Sequence, residues 1–340
     1  MAQQQYIPIL DTFEDITSIS IKSKDVQNDI TPKNLDGYLE VSLQNDIVTF
    51  PFIFRKELRS TQLKKIIQLK EKIRNLVILS SYIPPKVKEV LKKEKIGYLD
   101  SAGNASLVTD GHFILIEGRS YPKQESKYSD RAFSKTGLKL LFYFLNNDDL
   151  INSTYRDIRD KINVSLDTIS KTLKSLKKQK YLLKVNKYDR QLTRKKDLFD
   201  RWISNYENKL KNDLLIGRFS FVNKGYFKKW KELNIKPGET FWSGQPAADL
   251  LTNNVIPDTL ILYSIEKRSD LMTNYRLKPD DEGPIYVYQK FWDDINLETN
   301  EKTVPHTLVY ADLVTSYDPR DLKIASQIYE EFIKEKLEGG

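Results

Sequence analysis

The 340-residue chain has no cysteine, which excludes disulfides, thiolate metal sites and cysteine nucleophiles. It has two histidines, His112 and His306, so neither a histidine-based zinc site nor a Ser-His-Asp triad is expected. No apolar run reaches the roughly 18 residues of a membrane span, and the first residues do not read as a secretory leader. A cytoplasmic location away from membranes is expected. There is no G-x-x-x-x-G-K phosphate loop, and no Gly-Ser followed by the spaced Asp-x-Asp that nucleotidyl transfer requires. The acidic pairs Asp280-Asp281 and Asp293-Asp294 read as solvated loop residues. No internal repeat or low-complexity tract is visible. Neither a metal nor a cofactor is expected.

What is present is positive charge, gathered in one place. The composition, 39% hydrophobic and 30% charged, predicts a soluble, globular chain of two or three domains. The net charge is +8. From Lys135 to Arg201 the chain carries 17 Lys and Arg against 8 Asp, so this segment accounts for the whole excess. A concentrated basic segment points to a phosphate backbone.

The same segment has a legible pattern. Leu138, Leu141, Phe142 and Leu145 recur at helical spacing behind Ser134, a predicted N-cap. Thr154-Tyr-Arg-Asp157 opens a second helix with a capping-box pattern, its apolar positions being Tyr155, Ile158 and Ile162. After Asn163-Val164-Ser165 a third helix places Leu166, Ile169, Leu173 and Leu176 on one face. Asp167, Thr168, Ser170, Lys171, Lys174, Lys177 and Lys178 fall on the other. Tyr181 to Val185 and Arg190 to Leu192 then flank a polar turn, Asn186 to Asp189, as a two-stranded wing. This is the pattern of a winged helix-turn-helix, assigned to residues 132–194.

Before it, residues 1–120 read as an α/β domain. Ile9 to Ile21 suggests a helix followed by a short strand. Tyr38–Leu43 and Ile47–Phe54 pair as strands, and Gln62–Arg74 is an amphipathic helix. Leu76–Leu79 is a buried strand, and Pro84-Pro85 starts a further helix. Ile96–Leu99, Ala105–Thr109 and Phe113–Glu117 complete the sheet. The order resembles the core of restriction-endonuclease-like nucleases, which need a strand acid and an acid-x-Lys to hold a divalent metal. Asp36 and Glu40 offer a first carboxylate. Two residues before Lys56, where the second acid should stand, is Phe54; two before Arg55 is Ile53. The domain is expected to have lost its chemistry.

Residues 121–131 read as a linker. Residues 195–340 form a second α/β domain that opens with a long helix, Lys195–Lys211, whose Leu198, Phe199, Trp202, Ile203, Tyr206 and Leu210 face inward. Phe219–Phe221, Leu260–Tyr263 and Ile285–Tyr288 are predicted strands. Arg320–Leu337 is a closing helix striped by Ile324, Ile328, Phe332 and Ile333. The stretch Gly244–Thr252 invites a catalytic reading but supplies no mechanism.

Four stretches carry a family resemblance. They are Ile96-Gly-Tyr-Leu-Asp-Ser-Ala-Gly-Asn104; Tyr155-Arg-Asp-Ile with Val164-Ser-Leu-Asp-Thr-Ile-Ser; Leu198-Phe-Asp-Arg-Trp202 through Leu214–Phe219 to Trp242–Thr252; and Val309-Tyr-Ala-Asp-Leu313 with Asp318-Pro-Arg320. In order and spacing they resemble the long form of the AbiEi-type antitoxins, the transcriptional-regulator half of type IV (abortive infection) toxin–antitoxin systems. The resemblance implies a bacterial operon with a nucleotidyltransferase-like toxin, countered with or without direct contact. It also implies a winged helix that represses the shared promoter and a C-terminal antitoxin domain. Shorter members begin at the winged helix, and the family usually has Glu where this chain has Gln245. If that glutamate matters for antitoxicity, this member acts as a regulator more than a neutraliser.

The expected interface is with double-stranded operator DNA. Ser165, Asp167, Thr168 and Lys171 would reach base edges or flanking phosphates, and Ser170, Lys174 and Lys178 would extend that surface. Lys184, Lys187 and Arg190 would contact the backbone or a minor groove. Winged helices often bind two half-sites, which makes a homodimer a candidate assembly. The rival reading is an enzyme: a metal-dependent DNA nuclease, or a nucleotide-transferring enzyme aimed at DNA by the winged helix.

Overall fold

A computed structural model describes residues 3–24, 35–43, 46–109, 111–121, 130–186, 189–293 and 301–338. Three sequence expectations lie outside these residues: most of the linker (122–129), the wing-turn residues Lys187 and Tyr188, and Asp294. The chain divides into two compact units, residues 1–125 and 126–340.

The first unit is a seven-stranded sheet in simple sequence order. Helix α1 (Gln3–Thr17) precedes β1 (Ile21–Lys24), β2 (Gly37–Leu43) and β3 (Asp46–Arg55). Then follow α2 (Leu63–Lys70), β4 (Val77–Ser80), α3 (Pro85–Lys93), β5 (Gly97–Asp100), β6 (Ala105–Val108) and β7 (Phe113–Ile116). Strands β3, β4 and β5 are parallel; α2 and α3 provide the crossovers that parallel neighbours need. The helix expected near Ile9 starts earlier, because Tyr6, Ile9, Leu10 and Phe13 share one face and bury against Leu39, Val41, Phe50 and Phe52 of the sheet. Helix α2 is shorter than its periodicity suggested; Asn75, at φ 54°, turns the chain into β4.

The second unit starts with α4 (Lys135–Asn146), α5 (Tyr155–Ile162) and α6 (Leu166–Lys178), followed by a hairpin of β8 (Leu182–Lys184) and β9 (Arg190–Leu192). All three expected helix starts are capped. Ser134 Oγ accepts from the Gly137 amide at 3.2 Å, Thr154 and Asp157 form the reciprocal box, and Ser165 Oγ accepts from the Thr168 amide at 3.2 Å. Each such cap contributes about 1 kcal/mol. Leu166 corrects the expected apolar face of α6: as the first helical residue it is 40% exposed, while Thr172 is buried between Ile169 and Leu176.

Helix α7 (Lys195–Asn205) does not run on as one α-helix. It widens into a π-helical turn over Tyr206–Lys211 and ends in α8 (Asn212–Leu214), while its inward residues Leu198, Phe199, Trp202, Ile203, Tyr206 and Leu210 are buried as expected. Beyond it lie β10 (Leu215–Phe221), β11 (Thr240–Ser243), α9 (Gly244–Thr252), β12 (Leu260–Ser264), α10 (Arg268–Asn274), β13 (Leu277–Pro279) and β14 (Ile285–Gln289). They make a five-stranded sheet in the order β11-β12-β14-β10-β13, with β12 and β14 parallel. Helices α11 (His306–Val314), α12 (Pro319–Phe332) and α13 (Lys334–Glu338) close the chain. The closing helix breaks at Ile333, and its buried stripe is Leu322, Ala325, Ile328 and Tyr329; Ile324 and Phe332 are only half-buried. Among the described residues no helix is long and apolar enough to cross a membrane.

Candidate functional site

The basic surface is built by α6, the β8–β9 hairpin and the start of α5. Ser165 and Thr168 sit at the N-terminus of α6, their hydroxyls 2.9 Å apart within the cap. Asp167 and Lys171, one turn apart, form an ion pair at 2.7 Å with both side chains exposed. Such a pair contributes less than about 1 kcal/mol, so either partner can exchange it for a ligand. Ser170 is half-buried, and Lys174 and Lys178 are exposed further along the helix. On the hairpin Lys184 is exposed and Arg190 half-buried. The Arg190 amide donates to Asn152 Oδ1 at 2.7 Å, and its guanidinium lies 5.6 Å from the centre of the Tyr155 ring.

Two contributors were not among the expected interface residues, although Lys177 was placed on the outward face of its helix. Tyr155, assigned to an apolar face, is 38% exposed, and Lys177 points the same way. With Lys174, Lys184 and Arg190 they line a cleft of about 510 Å³ whose floor is Leu173 and Leu182. The i, i+3 spacing of Lys174 and Lys177 marks a shared helix face, but nothing in the sequence says that the hairpin stands opposite them.

The nuclease-like positions are engaged otherwise. The Asp36 carboxylate accepts from the Phe54 amide at 2.8 Å and lies 3.3 Å from Arg55 Nη1. Glu40 pairs with Lys24 at 2.5 Å. Phe54 packs its ring towards Tyr6. Among the described residues no group of three His, Asp or Glu is placed to hold a metal ion. The Asp100–Asn104 turn is a buried structural knot. Asp100 accepts from the amides of Ala102 and Asn104 at 2.9 and 3.0 Å, and pairs with Lys88 at 2.6 Å. Gly103 takes φ +82°, and a Cβ there would meet Ile16 Cδ1 at 2.1 Å.

The second unit holds a comparable knot. Asp312, on α11, has a fully buried side chain and pairs with Lys211 at 2.7 Å. It also accepts from Ser243 Oγ at 2.6 Å and from the Tyr263 hydroxyl at 3.1 Å, and Tyr263 is in turn hydrogen-bonded to Tyr206. Burial, the largest single influence, would pull the Lys211 pKa down; the Asp312 charge and hydrogen bond, with Tyr288 and Glu207, together outweigh it and leave it raised. Burial, reinforced by Asp312, pushes the Tyr206 and Tyr263 hydroxyls well above their ordinary value. These groups satisfy one another, so the arrangement locks elements together. Next to it, Gly244 at φ +56° lets the chain leave β11 for α9, and a Cβ there would come within 2.8 Å of Ile261.

Gln245 is fully used. Its carbonyl oxygen accepts from the Asp258 and Thr259 amides at 2.7 and 3.2 Å, and its Nε2 donates to Asp321 at 2.9 Å. Burial raises the Asp321 pKa, against hydrogen bonds from Ser316 and Gln245 that lower it. Gln245→Glu would replace that donor with a second carboxylate. The pair would then hold a proton in the folded state above the carboxylate pKa of about 4 in the unfolded chain. A group with a raised folded-state pKa contributes stability below its unfolded pKa and loses it as pH rises through the folded one. Q245E is therefore expected to cost about 1–3 kcal/mol near pH 7 and to approach the parent chain towards pH 4. Urea unfolding across that range checks it; a gap that does not change with pH would refute it.

Residues 191–334 match the model of a family described as transcriptional regulator, AbiEi antitoxin, type IV TA system. The match runs from β9 into α13 and takes in the Asp312 knot and Gln245. The resemblance read from the residues holds over this span, and the family is one of regulators. Helices α4, α5 and α6 precede the matched span. No curated protein and no solved structure matches the chain.

Proposed function

We propose that the chain is a DNA-binding autoregulator and antitoxin of a type IV toxin–antitoxin system, in which residues 132–194 act as a winged helix on operator DNA. The observation that carries this reading is the run of three capped helices and a hairpin, with the exposed lysines of α6 and the hairpin on the outside, joined directly to the matched span of a regulator family. In this reading α6 enters the major groove by its N-terminal turns, and Ser165, Asp167, Thr168 and Lys171 face base edges or flanking phosphates. Ser170, Lys174 and Lys178 extend the contact, and Lys184, Lys187 and Arg190 hold the backbone beside it. The Asp167–Lys171 pair opens on binding, Lys171 taking a phosphate and Asp167 an exocyclic amine. Residues 1–120 serve as a nuclease-like domain without its chemistry, and residues 195–340 counter a nucleotidyltransferase-like toxin.

With about five phosphates neutralised, log K against log salt should slope by roughly −4 to −5. The double variant Lys171→Ala, Lys174→Ala is expected to weaken binding to the DNA upstream of its own gene by about tenfold at moderate salt and to flatten the slope by about two. Gel shifts over a salt series measure both. Unchanged affinity at low and moderate salt would sink the assignment.

A further inference from the structure

The cleft between the second half of α6 and the hairpin is more than a flank of the helix. Four cations converge on it: Lys174 and Lys177 from the helix, Lys184 and Arg190 from the hairpin. Among the described residues that line it there is no carboxylate. Lys184 and Arg190 are direct cross-strand partners, a placement of like charges that destabilises a hairpin unless an anion lies between them. Lys171, earlier on the helix, is paired with Asp167; here Lys174, Lys177 and Lys184 have no ion pair among the described residues. The walls add flat and apolar surface. The Tyr155 ring already carries one guanidinium, Leu183 is 52% exposed, and Leu173 and Leu182 form a buried floor. A volume of about 510 Å³ falls in the range of small-ligand sites.

The geometry points to a nucleotide site, with a phosphate held by Lys174, Lys177, Lys184 and Arg190 and the attached sugar and base laid against Tyr155 and Leu183. Two sources supply that chemistry: a nucleotide of a bound DNA strand, which rests on the DNA reading above, and a free nucleoside triphosphate. Because Lys174, Lys184 and Arg190 also belong to the proposed DNA interface, a free nucleotide in the cleft displaces DNA.

The test uses the full chain and three variants: Lys177→Glu, Lys177→Arg, and Lys224→Glu as a charge-matched change at an exposed residue outside the cleft. Circular dichroism establishes that each is folded. ATP binding is followed by calorimetry and upstream-duplex binding by fluorescence anisotropy across a salt series. If the strand is the occupant, K177E weakens duplex binding at least tenfold and flattens the salt slope by about one or more. K177R and K224E then stay near the parent chain, and ATP does not bind. If the free nucleotide is the occupant, ATP binds once per chain, K177E weakens it at least tenfold, K177R and K224E keep it, and ATP displaces the duplex. Absence of ATP binding together with parental duplex affinity in K177E would overturn the proposal. So would equal weakening in K177E and K224E. Should the parent chain not bind the duplex at all, the DNA reading falls by itself and the ATP arm alone decides the cleft.

Discussion

Asp312→Ala is expected to remove about 3–5 kcal/mol of stability from the second unit, the range for taking one partner from a buried ion pair. The loss has three parts. The Lys211 ammonium, only 13% exposed, keeps its desolvation cost without its counter-charge. Ser243 and Tyr263 lose their acceptor. The π-helical turn after α7, β11 and β12 lose the α11 side chain to which Lys211, Ser243 and Tyr263 all bind. Urea unfolding followed by circular dichroism measures the loss, and less than about 1 kcal/mol would show that the carboxylate is not the fastener described. Replacing Lys211 by Met in the same chain should recover part of the stability, because the stranded charge is then gone.

Trp202→Ala is the second large effect, expected to cost about 3–5 kcal/mol, as for aromatic truncation in a packed core. Trp202 lies at the centre of an aromatic column, stacked on Tyr206 at 4.9 Å, on Phe142 at 5.6 Å and on Phe199 at 6.2 Å. Its indole N–H donates to the Leu138 carbonyl at 2.9 Å. Removing it separates α7 from α4, so gel-shift affinity should fall along with the melting temperature. Trp202→Phe keeps most of the column and removes only the added hydrogen bond to the Leu138 carbonyl, at about 1–2 kcal/mol. Equal losses in the two variants would contradict the stacking account.

Where a cap and a period agree, the residues alone were enough to place an element. Ser134, Thr154 and Ser165 each precede a regular apolar spacing, and each starts a helix with its side chain in the predicted bond. The π-helical turn was invisible because the apolar stripe continues through Tyr206 and Leu210 whether or not the helix widens. Strand β11 was missed because its four residues are all buried and show no alternation. Asp312 stands inside the apolar run Val309–Leu313 and gave no sign of its role, since Lys211, Ser243 and Tyr263 reach it from distant parts of the chain. The candidate site was legible as a list of outward lysines. Its cleft was not, because Lys177 and Tyr155 gain their meaning only when the hairpin folds opposite them.

Asp130 gives the junction between the basic surface and the matched span a practical consequence. Its carboxylate accepts from Ser175 and Gln179 at 2.9 and 2.8 Å near the end of α6, and pairs with Arg201 of α7 at 2.6 Å. A fragment cut after the hairpin would lose Arg201 and bare Leu138 and Phe142 where Trp202 had covered them. An expression product meant to keep α6 in its native setting therefore has to run past Trp202, as the compact unit of residues 126–340 does, and pieces that stop at the hairpin would be frayed there.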